Sequence, residues 1–518
     1  MSASREKKQR QSAGPDQKAL RAQQEQAARK KKTIVYSIVG AVAAVLVIAL
    51  LVWRTGFFQA RSTAATIGGE KLTAAQLGYY YNGARSIYAQ YGIIDTSKAD
   101  DEQIYNAEDN QTYRDFFMES ALNDAQRYYA LEAEARSAGH TESEVKDSLD
   151  AAISNAKAAA ASNGLSYAAY LQAVYGPYMS ASVYEREVTR YLMANLVFSE
   201  KYYALFDSYA QADLDAYYDE HADDLDTIEY SYLYFAAPSV SSKDEDGNEL
   251  AEDEVQKLKD DAKAEAKDKA EEALAAVKGG ASFESQADKY ELTEANHSDH
   301  AKVVGTSSVG SAYREELLKL GKGKFDMVEV DGGYYVIAFH DRYLADEPTR
   351  DARHILAAAE ATTDDSNKLV APTDEAWAAA KAKMDEIQAA WDAGDKTEDA
   401  FANLANEKSD DGDGTTGGLY TRIPRNPASG SFVSELDAWL YDSSRQPGDV
   451  AMIQHSAEEG ATSGYYGYHL IYYVGENEPV WMGTARKALA EAAEDEWVES
   501  LTANYPTAEL SGAKYFGK

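Results

Sequence analysis

Two histidines stand in short apolar runs near the two ends of one domain-sized segment: His354 in Arg353-His354-Ile355-Leu356 and His469 in Tyr468-His469-Leu470-Ile471. The 518-residue chain holds only eight histidines and no cysteine, which excludes thiolate nucleophiles, thiolate metal sites and disulfides. Between the pair lie Ser409-Asp410-Asp411, then Gly417-Gly418-Leu419, then Gln446-Pro447-Gly448-Asp449. A lone histidine in a strand is ordinarily a hydrogen-bonded structural residue. Two neutral imidazoles on neighbouring strands can fix each other's tautomers, and a carboxylate beside them tunes the local field. That combination suits electrostatic and orienting chemistry.

Such side chains need a sheet to hold them. The segment containing them reads as a first strand through His354, a helix around Phe401-Ala402-Asn403-Leu404-Ala405, and a last strand through His469. The preceding stretch has the same plan. Glu229 to Phe235 alternates like a strand, an Ala/Lys/Glu-rich helix is predicted over about 252–278, Ala281-Ser282-Phe283 follows, and Gly332 to Phe339 closes the unit. A duplication is therefore expected. Aligning the copies puts Tyr232 at His354 and Tyr335 at His469, with separations of 103 and 115 residues. No Ser-Asp-Asp follows the Phe283 helix, where the chain reads Tyr290-Glu291-Leu292-Thr293. The first copy keeps the frame and lacks the site.

The order His, Phe-x-x-Leu-Ala helix, Ser-Asp-Asp, Gly-Gly-Leu, Pro-Gly-Asp, His resembles the parvulin family of peptidyl-prolyl isomerases. With its flanking segments the whole chain resembles the extracytoplasmic foldases of the PrsA–SurA group. The resemblance implies an isomerase site with His354, Asp411 and His469 as catalytic residues. It also implies a proline pocket from Leu419, Phe432, Leu436 and Met452, with Leu436 replacing the aromatic usual at its position. Asp411 falls where relatives carry Cys or Asp. Specificity for phosphorylated substrates would require a basic loop after the first strand. That stretch here is Ala357 to Asp365 and holds only acidic charges, so phosphate recognition is not expected.

The formal net charge is −36, and the first 32 residues carry ten Lys/Arg against three acids, leaving −43 for the rest. So acidic a body repels phosphate backbones and argues against a nucleic-acid partner. No metal or cofactor is expected; the acidic loop at 244–255 lacks the sixth-position Gly and twelfth-position Glu of a calcium hand. Thr33 to Trp53 has no charged residue and is long enough to span a bilayer core of about 30 Å. Arg29-Lys30-Lys31-Lys32 before it places the N-terminus in the cytoplasm and the rest outside. An uncleaved anchor fits better than a signal peptide, because the basic leader is long and no small-residue cleavage site follows.

The expected fold class is α+β: an N-terminal membrane-anchor helix, a helical SurA-like lobe, two tandem parvulin-like α/β domains with the first degenerate, and a C-terminal helix. In numbers these are a basic tail at 1–32, the anchor at 33–53, the lobe at 62–225, the copies at 227–345 and 350–477, and a helix at 480–505 that packs on the lobe in family members. Tyrosines on the lobe's helices would suit a groove for unfolded polypeptide. The implied partners are unfolded or newly secreted polypeptides with X–Pro bonds, and the membrane; a homodimer is left open. The competing function is a non-catalytic holdase.

Overall fold

The computed structural model describes residues 56–243, 248–412, 414–425, 433–458 and 460–517, with 37–39, 41–45 and 47. The expected tail at 1–32 and most of the expected anchor at 33–53 lie outside the described residues; those described within the anchor are helical. Among the described residues no helix is long and apolar enough to cross a membrane. The chain divides into two compact units, residues 1–205 with 490–518, and residues 206–489.

In the first unit a single helical turn, Phe57–Ala60, leads into a hairpin, β1 (Thr63–Ile67) and β2 (Glu70–Thr73). Thr73 ends it by capping α1 (Ala74–Gln90), its side chain and that of Gln76 bonding each other's backbone N–H groups. A small hairpin absent from the sequence-based expectation, β3 (Ile104–Asn106) and β4 (Gln111–Thr112), precedes α2 (Tyr113–Ala138). Next come α3 (Lys146–Ser162), α4 (Tyr167–Tyr175) and α5 (Ala181–Phe206), with Gly176-Pro177 breaking the chain between the last two. Fully buried Glu187 on α5 accepts from Gln76 Nε2 at 3.0 Å and the Tyr80 hydroxyl at 2.8 Å, and pairs with Arg190. The chain's last residues return to this unit. Val498 packs with Leu131, Met193 and Val197, and the final strand Thr507–Glu509 pairs antiparallel with β1.

The expected lobe boundary at 225 is too late. Helix α6 (Gln211–Leu225) belongs to the second unit, because Leu214 and Leu225 bury themselves against Trp481 and Ala485. These two lie at the start of the C-terminal helix, Val480–Thr502, whose residues from 490 onward belong to the first unit. One helix thus contributes to both cores, and the boundary between the two units falls within it.

The second unit then holds the two copies. The first runs β5 (Thr227–Ala236), α7 (Glu252–Lys278), α8 (Phe283–Lys289), β6 (His297–Val304), α9 (Arg314–Lys319), β7 (Lys324–Val330) and β8 (Gly333–Tyr343). The second runs β9 (Pro348–Ala358), a small hairpin of β10 (Thr362–Thr363) and β11 (Leu369–Val370), α10 (Asp374–Ala393), α11 (Glu398–Lys408), β12 (Leu419–Ile423), α12 (Ser434–Leu440), β13 (Val450–Ser456) and β14 (Tyr466–Pro479). The antiparallel sheets have equivalent orders, β6-β5-β8-β7 and β12-β9-β14-β13. Their helices bury equivalent stripes: Ala266, Ala270, Ala273 and Val277 on α7 match Ala380, Met384, Ile387 and Trp391 on α10 in spacing. Phe283 and Ala287 likewise match Phe401 and Ala405. The register agrees to the residue. Tyr232 pairs with Ile337, two past Tyr335, as His354 pairs with Ile471, two past His469.

Candidate functional site

Strand pleating decides which side chains meet. On β9, Ala352, His354 and Leu356 share one face, while Arg353, Ile355 and Ala357 face helices α10 and α11. Antiparallel partners share a face, so His469 (opposite Leu356) and Ile471 (opposite His354) join the first set. The two imidazoles thus sit diagonally on the central strands, ring centroids 5.2 Å apart and 63° inclined. Both are buried, His354 at 6% and His469 at 1% exposure.

The acidic turn that follows α11 locks onto β9 beyond the stretch that pairs with β12. Ser409 Oγ accepts from the backbone N–H of Leu356 at 3.1 Å, and Asp410 Oδ2 accepts from that of Ala358 at 3.0 Å. This leaves Asp411 projecting at the histidine, with Oδ2 2.9 Å from His354 Nε2. Burial pushes the His354 imidazole down from 6.5 to about 4, although the Asp411 carboxylate acts the other way. The ring is therefore neutral at pH 7, and the contact is a hydrogen bond from Nε2–H to the carboxylate rather than an ion pair. His469 is pushed further, to about 3, by burial first and then by His354 and His455. Among the described residues neither ring nitrogen of His469 has a hydrogen-bond partner.

The Gly417-Gly418 turn brings β12 against β9. Both glycines have positive φ, and a Cβ on Gly418 would lie 2.2 Å from the His354 carbonyl oxygen, so only glycine fits. The turn delivers Tyr420, opposite Ala352, to the histidine face. Its ring stacks on His354 at 5.1 Å and its hydroxyl donates to Asp411 Oδ2 at 2.8 Å. Burial, then the Asp411 bond, push this phenol up to about 12. Across the site Tyr465 stands 5.6 Å from the His469 ring, and His455, held 3.2 Å from Glu435 Oε2, packs on Tyr465 at 4.9 Å. None of Tyr420, Tyr465 and His455 was among the sequence candidates. Tyr420 and His455 become visible only once strand register is known, and no local signal marks Tyr465.

The expected proline pocket is rearranged. Leu419 pairs with Arg353 and therefore lies on the opposite sheet face from His354, while its neighbour Tyr420 takes the site side. Met452 pairs with Leu470 and packs into the helix-side core, so Ile453, opposite His469, is the β13 residue on the site face. Leu436 is on the correct face but buried at 2% with Ala352, Ile423, Leu440 and Ile471. It supports the floor and offers little surface. Phe432 lies outside the described residues.

In the first copy the same positions form a tyrosine stack. Tyr313, at the start of α9, lies 5.6 Å from Tyr232 and 4.8 Å from Tyr335, and Tyr335 stacks on Tyr234 at 4.4 Å. At the positions of His354 and His469 the first copy thus carries phenols, with no imidazole facing a carboxylate there. Among the described residues of the whole chain no cluster of three or more His, Asp or Glu is arranged to hold a metal ion.

Residues 354–474 match the PPIC-type PPIASE domain, and residues 249–343 match a second domain of the same description. The chain thus carries two PPIC-type PPIASE domains in tandem. Among solved structures it is similar to the peptidylprolyl isomerase PrsA of Bacillus anthracis, at 13% identity over 42% of this chain and 77% of that one, TM-score 0.17. It is also similar to PrsA of Bacillus subtilis, at 14% identity over 45% and 75%, TM-score 0.16. A SurA-like chaperone structure from Campylobacter jejuni is similar at 11% identity over 54% and 81%, TM-score 0.16. No curated protein matches the chain.

Proposed function

We propose that the chain is a membrane-anchored, extracytoplasmic foldase of the PrsA–SurA type. Its isomerase activity resides in the second copy, with His354, Asp411 and His469 as the catalytic set. The observation that carries this reading is a pair of buried neutral imidazoles on adjacent strands, one bonded to a carboxylate at 2.9 Å. Unaided X–Pro isomerisation takes tens to hundreds of seconds because twisting the bond breaks amide resonance, a barrier near 20 kcal/mol. No bond is made or broken, so a catalyst needs only to bind the twisted amide better than the planar one. Each 1.4 kcal/mol of that preference gives about tenfold in rate.

The site's means are electrostatic. Neutral rings in a dry floor of Leu436, Ile471 and Ala352 present fixed dipoles, and Asp411 orients His354. The first copy, with tyrosines at both histidine positions, is inactive in this reading. The apolar run at 33–53 holds the chain in the membrane with the N-terminus cytoplasmic. Clients are newly secreted polypeptides with X–Pro bonds. In the first unit a cavity of about 400 Å³ is lined by Tyr81, Tyr175, Tyr178 and Tyr515 together with Asn82, Arg85, Lys98 and Asp100, a mixed aromatic and polar surface suited to ring contacts and to hydrogen bonds with a client backbone.

The test is cis-to-trans relaxation of a short X–Pro peptide by the detergent-solubilised chain. Acceleration should fall at least tenfold in H354A and D411A and survive in Y232A. The second reading, a non-catalytic holdase, is favoured by the tyrosine-lined cavity. It gains the field if the wild type leaves the uncatalysed rate unchanged yet suppresses aggregation of an unfolded protein.

A further inference from the structure

We infer that Tyr420 is a positioning residue of the isomerase site: its hydroxyl and the His354 ring hold the same oxygen of Asp411 between them, clamping carboxylate and imidazole as one unit. The inference rests on the assignment of isomerisation to His354, Asp411 and His469. Asp411 sits on the turn after α11 and its side chain is 39% exposed. A carboxylate so placed has rotamer freedom, and a single bond from one imidazole does not define its plane. Tyr420 supplies the second point. The bonds to Oδ2 measure 2.9 Å from His354 Nε2 and 2.8 Å from the Tyr420 hydroxyl. The phenol also covers one face of the imidazole, the rings stacked at 5.1 Å and inclined 24°. Ring and hydroxyl thus restrain His354 from its face and from its Nε2 side at once.

The consequence is chemical. With Oδ2 fixed beside Nε2, the proton of the neutral ring stays on Nε2 and the lone pair stays on Nδ1. A freed carboxylate lets the ring exchange tautomers and rotate, and the dipole presented to a twisting amide is no longer preorganised. The first copy gives independent support. There the residue at Tyr420's register position, opposite Tyr230 as Tyr420 is opposite Ala352, is Ala301. The copy that has tyrosines in place of the histidines also has no phenol at the clamp position.

The phenol is not placed to touch the substrate as a reacting group, since its hydroxyl is committed to Asp411. Its effect is transmitted, and a double-mutant cycle reads that directly. The experiment measures kcat and KM of the solubilised full chain for an X–Pro peptide in wild type, Y420F, D411A and Y420F/D411A. Y420F keeps the ring and its stacking and removes only the hydroxyl. The expected result is a roughly tenfold fall in kcat with little change in KM, the scale of one lost bond to a charged group. In the D411A background the same substitution should change kcat less than about twofold, because there is no carboxylate left to hold. Wild-type kcat in Y420F, or an equal loss with and without Asp411, overturns the inference while leaving the assigned site intact. If H354A and D411A themselves leave the rate unchanged, the site assignment falls and the clamp falls with it.

Discussion

Acid should destabilise the second copy through its two histidines. His354 titrates at about 4 in the folded chain against an ordinary value of 6.5, so between those values the unfolded chain binds more protons than the native one. Stability is therefore complete above pH 6.5, declines as pH falls, and is fully lost by this route below pH 4. For His354 alone the loss is about 3 kcal/mol, from 1.36 kcal/mol per pH unit over the interval. His469, at about 3, acts in the same direction, and because the rings face each other their losses do not simply add. A unit this large does not unfold in two states, so the assay must be local. Urea midpoints of peptides from β9 and β14, read by hydrogen exchange and mass spectrometry at pH 7.5, 6 and 4.5, isolate the site's own sheet. The midpoints should drop steeply below pH 6, and peptide-bond isomerisation should run at constant rate between pH 8 and 6.5. Midpoints independent of pH, or a rate step at 6.5, would show that at least one imidazole is solvated and charges freely, against the neutral-dipole mechanism.

Other perturbations test separate links. Glu494 on the C-terminal helix is 4% exposed, its Oε1 has no hydrogen-bond partner among the described residues, and burial raises its carboxyl from 4.5 to about 7. The folded value is the higher one, so its stabilising contribution is complete below pH 4.5 and is lost as pH rises through 7. E494Q should raise the first unit's stability at pH 8 by up to about 3 kcal/mol and by little at pH 5, seen in urea midpoints of α2 peptides. Gly418→Ala forces a Cβ onto the His354 carbonyl at positive φ; it should abolish acceleration and cost β12 about 2–4 kcal/mol, read by local hydrogen exchange. Because the chain has no cysteine, topology is accessible to labelling. A membrane-impermeant maleimide should modify S62C on intact cells and S4C only after permeabilisation; the reverse pattern refutes the proposed orientation.

Much of the frame was legible in the sequence because local chemistry agrees with the final packing. The Ala/Lys/Glu helix expected at 252–278 occupies Glu252–Lys278, since its only apolar stripe is the one that meets β5. The duplication and the alignment of Tyr232 with His354 hold in the register, which neither composition nor spacing could establish alone. What failed was parity. Leu419 and Met452 were assigned to the proline pocket through motif position, and each lies one residue from the side chain that faces the site, Tyr420 and Ile453. In a strand a single residue is the whole difference between the two faces. The lobe boundary failed for another reason: α6 is as helical as its predecessors, and only its contacts with Trp481 and Ala485 assign it elsewhere.

The central claim is that one copy catalyses and the other does not, within a chain that also holds clients. The most direct measurement is refolding of a proline-limited substrate protein by the solubilised chain carrying both H354A and H469A, with aggregation suppression followed in parallel. Loss of the acceleration with suppression intact is the expected result. Undiminished acceleration in that double variant would place the isomerase activity outside the second copy and contradict the assignment of His354, Asp411 and His469.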